Sequence, residues 1–147
     1  MSSVTHILKS KAEAVVHTIA PEASAAEAAQ TMAQKNVGAL VVVAAGRIVG
    51  ILSERDFVRK LVPSGAPAQT TPVGDIMSSP VMYVRRQHSS SECMALMTEN
   101  RTRHLPVLDA GELVGLVSIG DLVKDIISDQ QFVIDQLEHY ISGQRYP

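Results

Sequence analysis

Gly50-Ile51-Leu52-Ser53-Glu54-Arg55-Asp56 recurs 65 residues later as Gly115-Leu116-Val117-Ser118-Ile119-Gly120-Asp121. Each copy is a β-prone run that stops at a serine and hands over to a helix whose third position is an aspartate. Outward from this pair, Val16 to Val58 aligns with Val81 to Val123 without a gap. Ser24 and Glu27 match Ser89 and Glu92, Met32 matches Met97, Leu40 matches Leu105, and Gly46 matches Gly111. Self-similarity at a fixed offset means two copies of one supersecondary unit.

The parts of the unit follow from residue pattern. His17-Thr18-Ile19 and Val81-Met82-Tyr83-Val84 are short β-prone runs that open the copies. Ser24-x-x-Glu27 and Ser89-x-x-Glu92 are capping boxes, in which serine and glutamate reciprocally satisfy free backbone donors, so a helix starts at each. Behind them Ala28, Ala29, Met32 and Ala33, then Cys93, Met94, Leu96 and Met97, fall mostly on one stripe that should be buried. Leu40 to Val43 and Ile48 to Leu52 form a hairpin around Ala45-Gly46, and Leu105 to Leu108 and Leu113 to Val117 form another around Asp109-Ala110-Gly111. A second helix runs from Glu54 to about Val62, and its counterpart from Ile119 to about Ile141, with Leu122, Ile126, Val133, Leu137 and Ile141 along its apolar stripe.

The unit is therefore β-α-β-β-α. Three strands with one apolar face are unstable alone, so the expected fold is α/β (α+β), with the two repeats packed sheet to sheet in pseudo-twofold symmetry. Residues 1–62 read as the first repeat with an N-terminal lead-in, 63–72 as an exposed linker, 73–128 as the second repeat and 129–147 as a C-terminal helical extension. Val73-Gly-Asp-Ile-Met77 resembles Val4-Thr-His-Ile-Leu8, which gives each copy a lead-in turn.

Bulk properties narrow the function. The formal net charge of -2 argues against a nucleic-acid partner, which phosphate contacts would favour through a basic surplus. No apolar run reaches the roughly 18 residues of a membrane span, the start lacks a signal peptide, and one cysteine cannot make an internal disulfide, so a cytoplasmic protein is expected. Cys93 aligns with Ala28 on the buried stripe and fills space there. The five histidines show no metal-ligand spacing, and neither a nucleophile-base constellation nor a Walker loop is present. No metal and no enzyme activity are expected.

Ser53-x-x-Asp56 and Ser118-x-x-Asp121 carry two readings. As structure, the serine caps the helix and the acid favours its positive end. As a site, free donors at a helix N-terminus hold a phosphate while the carboxylate accepts two ribose hydroxyls. Arg101, Arg103 and His104 suit phosphate or form a solvated basic turn, whereas the first copy has Gly38 and Ala39 there. Pro106 interrupts strand pairing.

These residues resemble the CBS domain, in the tandem arrangement called a Bateman module. The resemblance rests on Gly50 to Asp56, on Asp75-Ile-Met-Ser-Ser-Pro80-Val81, and on Arg101-Thr-Arg-His-Leu-Pro-Val107 leading to Gly115 to Asp121. The tail, Phe132 to Gly143, resembles that of small stand-alone bacterial members. It implies a regulatory sensor of an adenine nucleotide, AMP foremost, with NAD, ATP, ADP or S-adenosylmethionine as alternatives, bound in a cleft between the repeats. The matching positions are Thr18, Ile19, Gly38, Ala39, Ser53, Arg55 and Asp56 in the first copy. In the second they are Tyr83, Val84, Arg101, Arg103, His104, Leu105, Pro106, Ser118 and Asp121. Ribose would lie on the aspartates, phosphate near the serines, and adenine against the opening strands and the edge at Pro106. Tyr83 also reads as half-buried core, and Arg55 as a surface ion pair with Glu54 or Asp56. The better-furnished second copy, Asp121 above all, is the expected site. A homodimer is expected along the last helix, with output to an unidentified effector protein. The competing reading is a structural interaction module with no small-molecule ligand.

Overall fold

A computed structural model of the protein describes residues 2–11 and 15–142. The elements are α1 (Val4–Ser10), β1 (Thr18–Ile19), α2 (Ala25–Lys35), β2 (Ala39–Ala44), β3 (Arg47–Ser53) and α3 (Glu54–Asp56). A π-helical stretch, Phe57–Leu61, continues α3 into α4 (Val62–Ser64). Then follow α5 (Val73–Ile76), α6 (Ser90–Asn100), β4 (His104–Asp109), β5 (Glu112–Ser118) and α7 (Ile119–Ile141). Mixed α/β architecture is thus established. The last residues of the expected extension, 143–147, lie outside the described residues.

The chain divides into two compact units. The first is Val15–Met82, and the second joins the N-terminal segment to the chain from Tyr83 onward. In the first, β1 pairs in parallel with β2, and β2 pairs antiparallel with β3. The β2–β3 hairpin turns on Ala45 and Gly46, both left-handed at φ 51° and 75°. A two-residue turn of that hand matches the natural strand twist. Ala110 and Gly111 repeat it between β4 and β5, at 51° and 81°.

Each unit has its own core. Leu40, Val42 and Leu52 of the first sheet are buried with Ala25, Ala28 and Met32 of α2 and with Leu61, Val73 and Ile76. In the second, Leu105, Val107 and Val117 are buried with Cys93 and Met97 of α6, Leu122 of α7, and Val4 and Ile7 of α1. Burying a Leu, Val or Met side chain contributes about 1.5–3 kcal/mol, so these two clusters dominate stability.

Three features depart from the sequence reading. The lead-ins are exchanged: α5 packs within the first unit, while α1 packs within the second and not with the repeat that follows it. Backbone contacts fix each one in the same way. Val73 N donates to Ala23 O and Gly74 N to Pro21 O; Val4 N donates to His88 O and Thr5 N to Arg86 O. Gly50 and Gly115 make room for the lead-ins, since a Cβ at Gly50 would collide with Met77 Sδ, and one at Gly115 would lie 2.7 Å from Leu8 Cδ2.

The linker is also more than an exposed loop. Thr71 is buried, and the carbonyls of Thr71 and Ala68 accept from Ala25 N and Ala26 N at 2.8 and 2.9 Å. They satisfy two of the donors that a helix start leaves open.

Finally, the run Val81 to Val84 forms no strand; a single parallel bridge, Val84 to Val107, remains. The cause lies at Pro106. At the matching position of the first unit, Val41 N donates to His17 O at 3.1 Å, a rung that a residue without an N–H cannot supply.

Candidate functional site

In the second unit the site assembles where β5 meets α7. Ser118 is extended, at φ −102° and ψ 162°, so the chain leaves the sheet and enters the helix within one residue. The capping box is complete: Ser118 N donates to Asp121 Oδ2 at 2.9 Å and Asp121 N to Ser118 Oγ at 3.2 Å. Ile119 N donates to Arg103 O at 2.8 Å, which ties the basic turn to the helix start. Gly120 is exposed at the second helical position, within the first turn, where a helix leaves its backbone N–H groups without intrahelical partners.

The Asp121 carboxylate is used unevenly. Oδ2 also meets Lys11 Nζ at 2.9 Å, and the same ammonium donates to Leu116 O at 2.7 Å. Oδ1 receives no donor from the described residues. The side chain is 16% exposed, so that oxygen is a shielded acceptor within reach of solvent.

His104, the first residue of β4, is half-buried beside this carboxylate. Burial holds its pKa below the ordinary histidine value; Asp121 pulls the other way, and Lys11 and Arg103 add to the lowering. Burial thereby favours the neutral imidazole, in which one nitrogen donates and the other accepts. Arg103 is exposed, as is Arg101, which closes α6 in a left-handed conformation at φ 52°. Leu105 and Pro106 are buried, and Pro106 O accepts from Val84 N at 2.9 Å. Tyr83 is 45% exposed, more a surface residue than core.

The first unit holds the matching residues differently. Asp56 is 6% exposed, and both its oxygens are engaged. Oδ2 accepts from Ser53 N at 2.9 Å and lies 3.4 Å from Ser53 Oγ; Oδ1 accepts from Ser78 Oγ at 2.9 Å and pairs with Lys60 Nζ at 3.3 Å. Glu54 N donates to Gly38 O at 3.1 Å, and Ala39 is buried beside it. Thr18 is exposed and Ile19 half-buried on β1. Arg55 pairs with neither Glu54 nor Asp56 among the described residues, because Asp56 is already taken by Lys60.

The sequence reading missed Lys11, Lys60 and Ser78. For Ser78 a signal existed, since the match of Val4–Leu8 to Val73–Met77 marks the residue after each lead-in as equivalent, but neither Lys11 nor Lys60 stands at that position. Elsewhere, a groove of about 720 Å³ runs between α6 and α7, with Met94, Ala95, Glu99, Ile126 and Asp129 among its lining residues. None of the sequence-predicted site residues lines it. Cys93 is buried, and burial pushes its thiol up to about 11. Among the described residues, no group of three or more His, Cys, Asp or Glu is placed to hold a metal ion, and no helix is long and apolar enough to cross a membrane.

Comparison with known proteins agrees with this architecture. A YhcV protein of Bacillus subtilis, described as CBS domain-containing, is 35% identical over 130 residues, covering 88% of this chain and 89% of its own. The mitochondrial CBS domain-containing protein CBSX3 of Arabidopsis thaliana is 39% identical over 122 residues, 80% of this chain, and the match spans 59% of that relative's length. A solved structure of a protein with CBS domains from Burkholderia ambifaria is 47% identical, with a TM-score of 0.84 over 88% of this chain and 96% of that one. A hexameric CBS-CP12 protein from bloom-forming cyanobacteria is 27% identical, with a TM-score of 0.74 over 83% and 70%. The family description "CBS domain" matches residues 12–63 and again 73–128. The chain therefore belongs to the CBS domain family and carries two such domains in tandem.

Proposed function

We propose that this chain is a regulatory sensor of an adenine nucleotide, AMP foremost, with ADP, ATP, NAD and S-adenosylmethionine as the other adenosyl candidates. It acts without catalysis, through conformational or oligomeric change, in a reducing compartment such as the cytoplasm. One observation carries the reading: Asp121 offers a carboxylate oxygen that receives no donor from the described residues, at the start of a 23-residue helix and beside His104, whose burial favours the neutral imidazole. A carboxylate suits ribose hydroxyls, and the backbone N–H groups of a helix start suit phosphate. Arg101 and Arg103 supply exposed cations nearby in the chain. Asp56, saturated by its own neighbours, is the poorer acceptor.

Calorimetric titration with the five adenosyl compounds tests this. One ligand per chain is expected, lost in Asp121→Ala. The reading is wrong if none binds below about millimolar, or if Asp121→Ala binds as the wild type does.

A second reading concerns output. Beyond its buried Leu122, α7 presents Val133, Leu137 and Ile141 at 54%, 55% and 82% exposure. Exposed apolar stripes of this extent mark interfaces, and the groove against α6 adds Met94 and Ala95 to the face. A homodimer along this helix supplies the cover, and the hexameric relative supports self-association as the mode of assembly. Light scattering of wild type and Leu137→Glu decides: a dimer that the charge dissociates is expected, whereas a monomeric wild type would remove this route.

A further inference from the structure

Two equivalent acceptors are filled by different means in the two units. In the first, Ile51 O accepts from Ser78 N at 2.9 Å and Asp56 Oδ1 from Ser78 Oγ at 2.9 Å. Ser78 is itself pinned, because Ile51 N donates back to Ser78 O at 3.0 Å and makes an antiparallel rung. In the second unit the matching acceptors are Leu116 O and the Asp121 carboxylate. Both are taken by the single ammonium of Lys11, at 2.7 and 2.9 Å. A backbone rung in one copy is replaced by a flexible side chain in the other.

That replacement bears directly on the carboxylate. A carboxylate oxygen accepts about two hydrogen bonds, and Asp121 Oδ2 already serves Ser118 N and Lys11 Nζ. A vicinal diol that spans both oxygens must therefore evict a donor. Ser118 N is backbone at the helix cap and cannot leave without undoing it. Lys11 is 25% exposed and regains water as it swings away.

We propose that Lys11 is a displaceable latch on the Asp121 site, an internal cation that a ribose diol must expel. The proposal deepens the nucleotide reading and rests on it. The latch lowers affinity for the diol and couples occupancy to the end of α1, since Lys11 is the residue that caps that helix. In the first unit the matching donors both come from Ser78, whose backbone the strand rung fixes, so that displacing Lys60 from Asp56 still leaves the Ser78 hydroxyl in place.

The test is calorimetry with adenosine and 2′,3′-dideoxyadenosine on wild type, Lys11→Met, Lys11→Arg and Asp121→Ala. Losing a partly exposed ion pair predicts that adenosine binds Lys11→Met about five-fold tighter than wild type. Dideoxyadenosine, which needs no eviction, should bind Lys11→Met and wild type alike, and Lys11→Arg should follow wild type with both ligands. Lys11→Gln, a second neutral variant, serves if the methionine variant does not melt cooperatively. Equal or weaker adenosine binding by the neutral variants, with Asp121→Ala still abolishing it, overturns the latch alone. Binding of adenosine by Asp121→Ala at wild-type strength, or by no variant at all, overturns the underlying nucleotide reading and the latch with it.

Discussion

Asp56→Ala should cost more stability than Asp121→Ala, although the two residues are equivalent in sequence. Asp56 is buried and receives a backbone N–H, a serine hydroxyl and a lysine ammonium. Hydrogen bonds to a charged group are worth about 1.5–3 kcal/mol each, although both of these are only part-buried. The Lys60 pair adds little, because that lysine is 43% exposed. The deletion also leaves Ser53 N and Ser78 Oγ without their acceptor, so a loss of about 3 kcal/mol is expected. Asp121 receives one backbone N–H and a partly exposed lysine. Capping loss of about 1 kcal/mol plus a few tenths for the ion pair gives about 1.5 kcal/mol. At about 2–4 °C per kcal/mol for a chain of this size, Asp56→Ala should melt about 4 °C lower than Asp121→Ala. Urea titrations followed by circular dichroism, with slopes compared to check that both variants unfold alike, measure the difference. Equal losses, or a larger one at Asp121, would refute the division of a structural aspartate from an available one.

Gly50→Ala should destabilise by about 1–3 kcal/mol, because the new methyl meets Met77, and the double variant with Met77→Ala should show a smaller added loss than the two singles summed. His104 has a folded pKa below its unfolded value of about 6.5, so the unfolded chain binds the extra proton first. Its contribution is full above about pH 6.5 and declines as pH falls through the folded pKa. The stability gap between wild type and His104→Gln should therefore shrink from pH 7.5 to 5, and a gap that is flat or grows would contradict the burial argument. Cys93, with its thiol pushed up to about 11, should react with a disulfide reagent at pH 8 only on unfolding. Rapid labelling of the native protein would contradict its burial.

Much of this was legible in the residues. Capping boxes, paired glycines and hairpin turns are local, so their positions came straight from spacing. Ser118 and Asp121 were found because the helix-start pattern is short and repeated. Lys11 was not, because nothing near it in sequence marks a lysine whose partner is Asp121; the contact depends on where α1 goes. Similarity between the two lead-ins revealed that they are equivalent but not which repeat receives each. The opening run of the second copy is β-prone by composition, yet its pairing depended on an N–H that Pro106 lacks. Loop composition correctly marked 63–72 as turn-rich but said nothing of the carbonyls that Ala68 and Thr71 lend to α2.

The exchanged lead-ins have a consequence for the order of assembly on the ribosome. Val15–Met82 is one continuous stretch, so the first unit has all its parts once Met82 has emerged. The α1 segment is made first yet waits, because Thr5 meets Arg86, 81 residues further on. At about 5–20 residues per second, that separation lasts roughly 4–16 s, during which Val4, Ile7 and Leu8 have no core to enter.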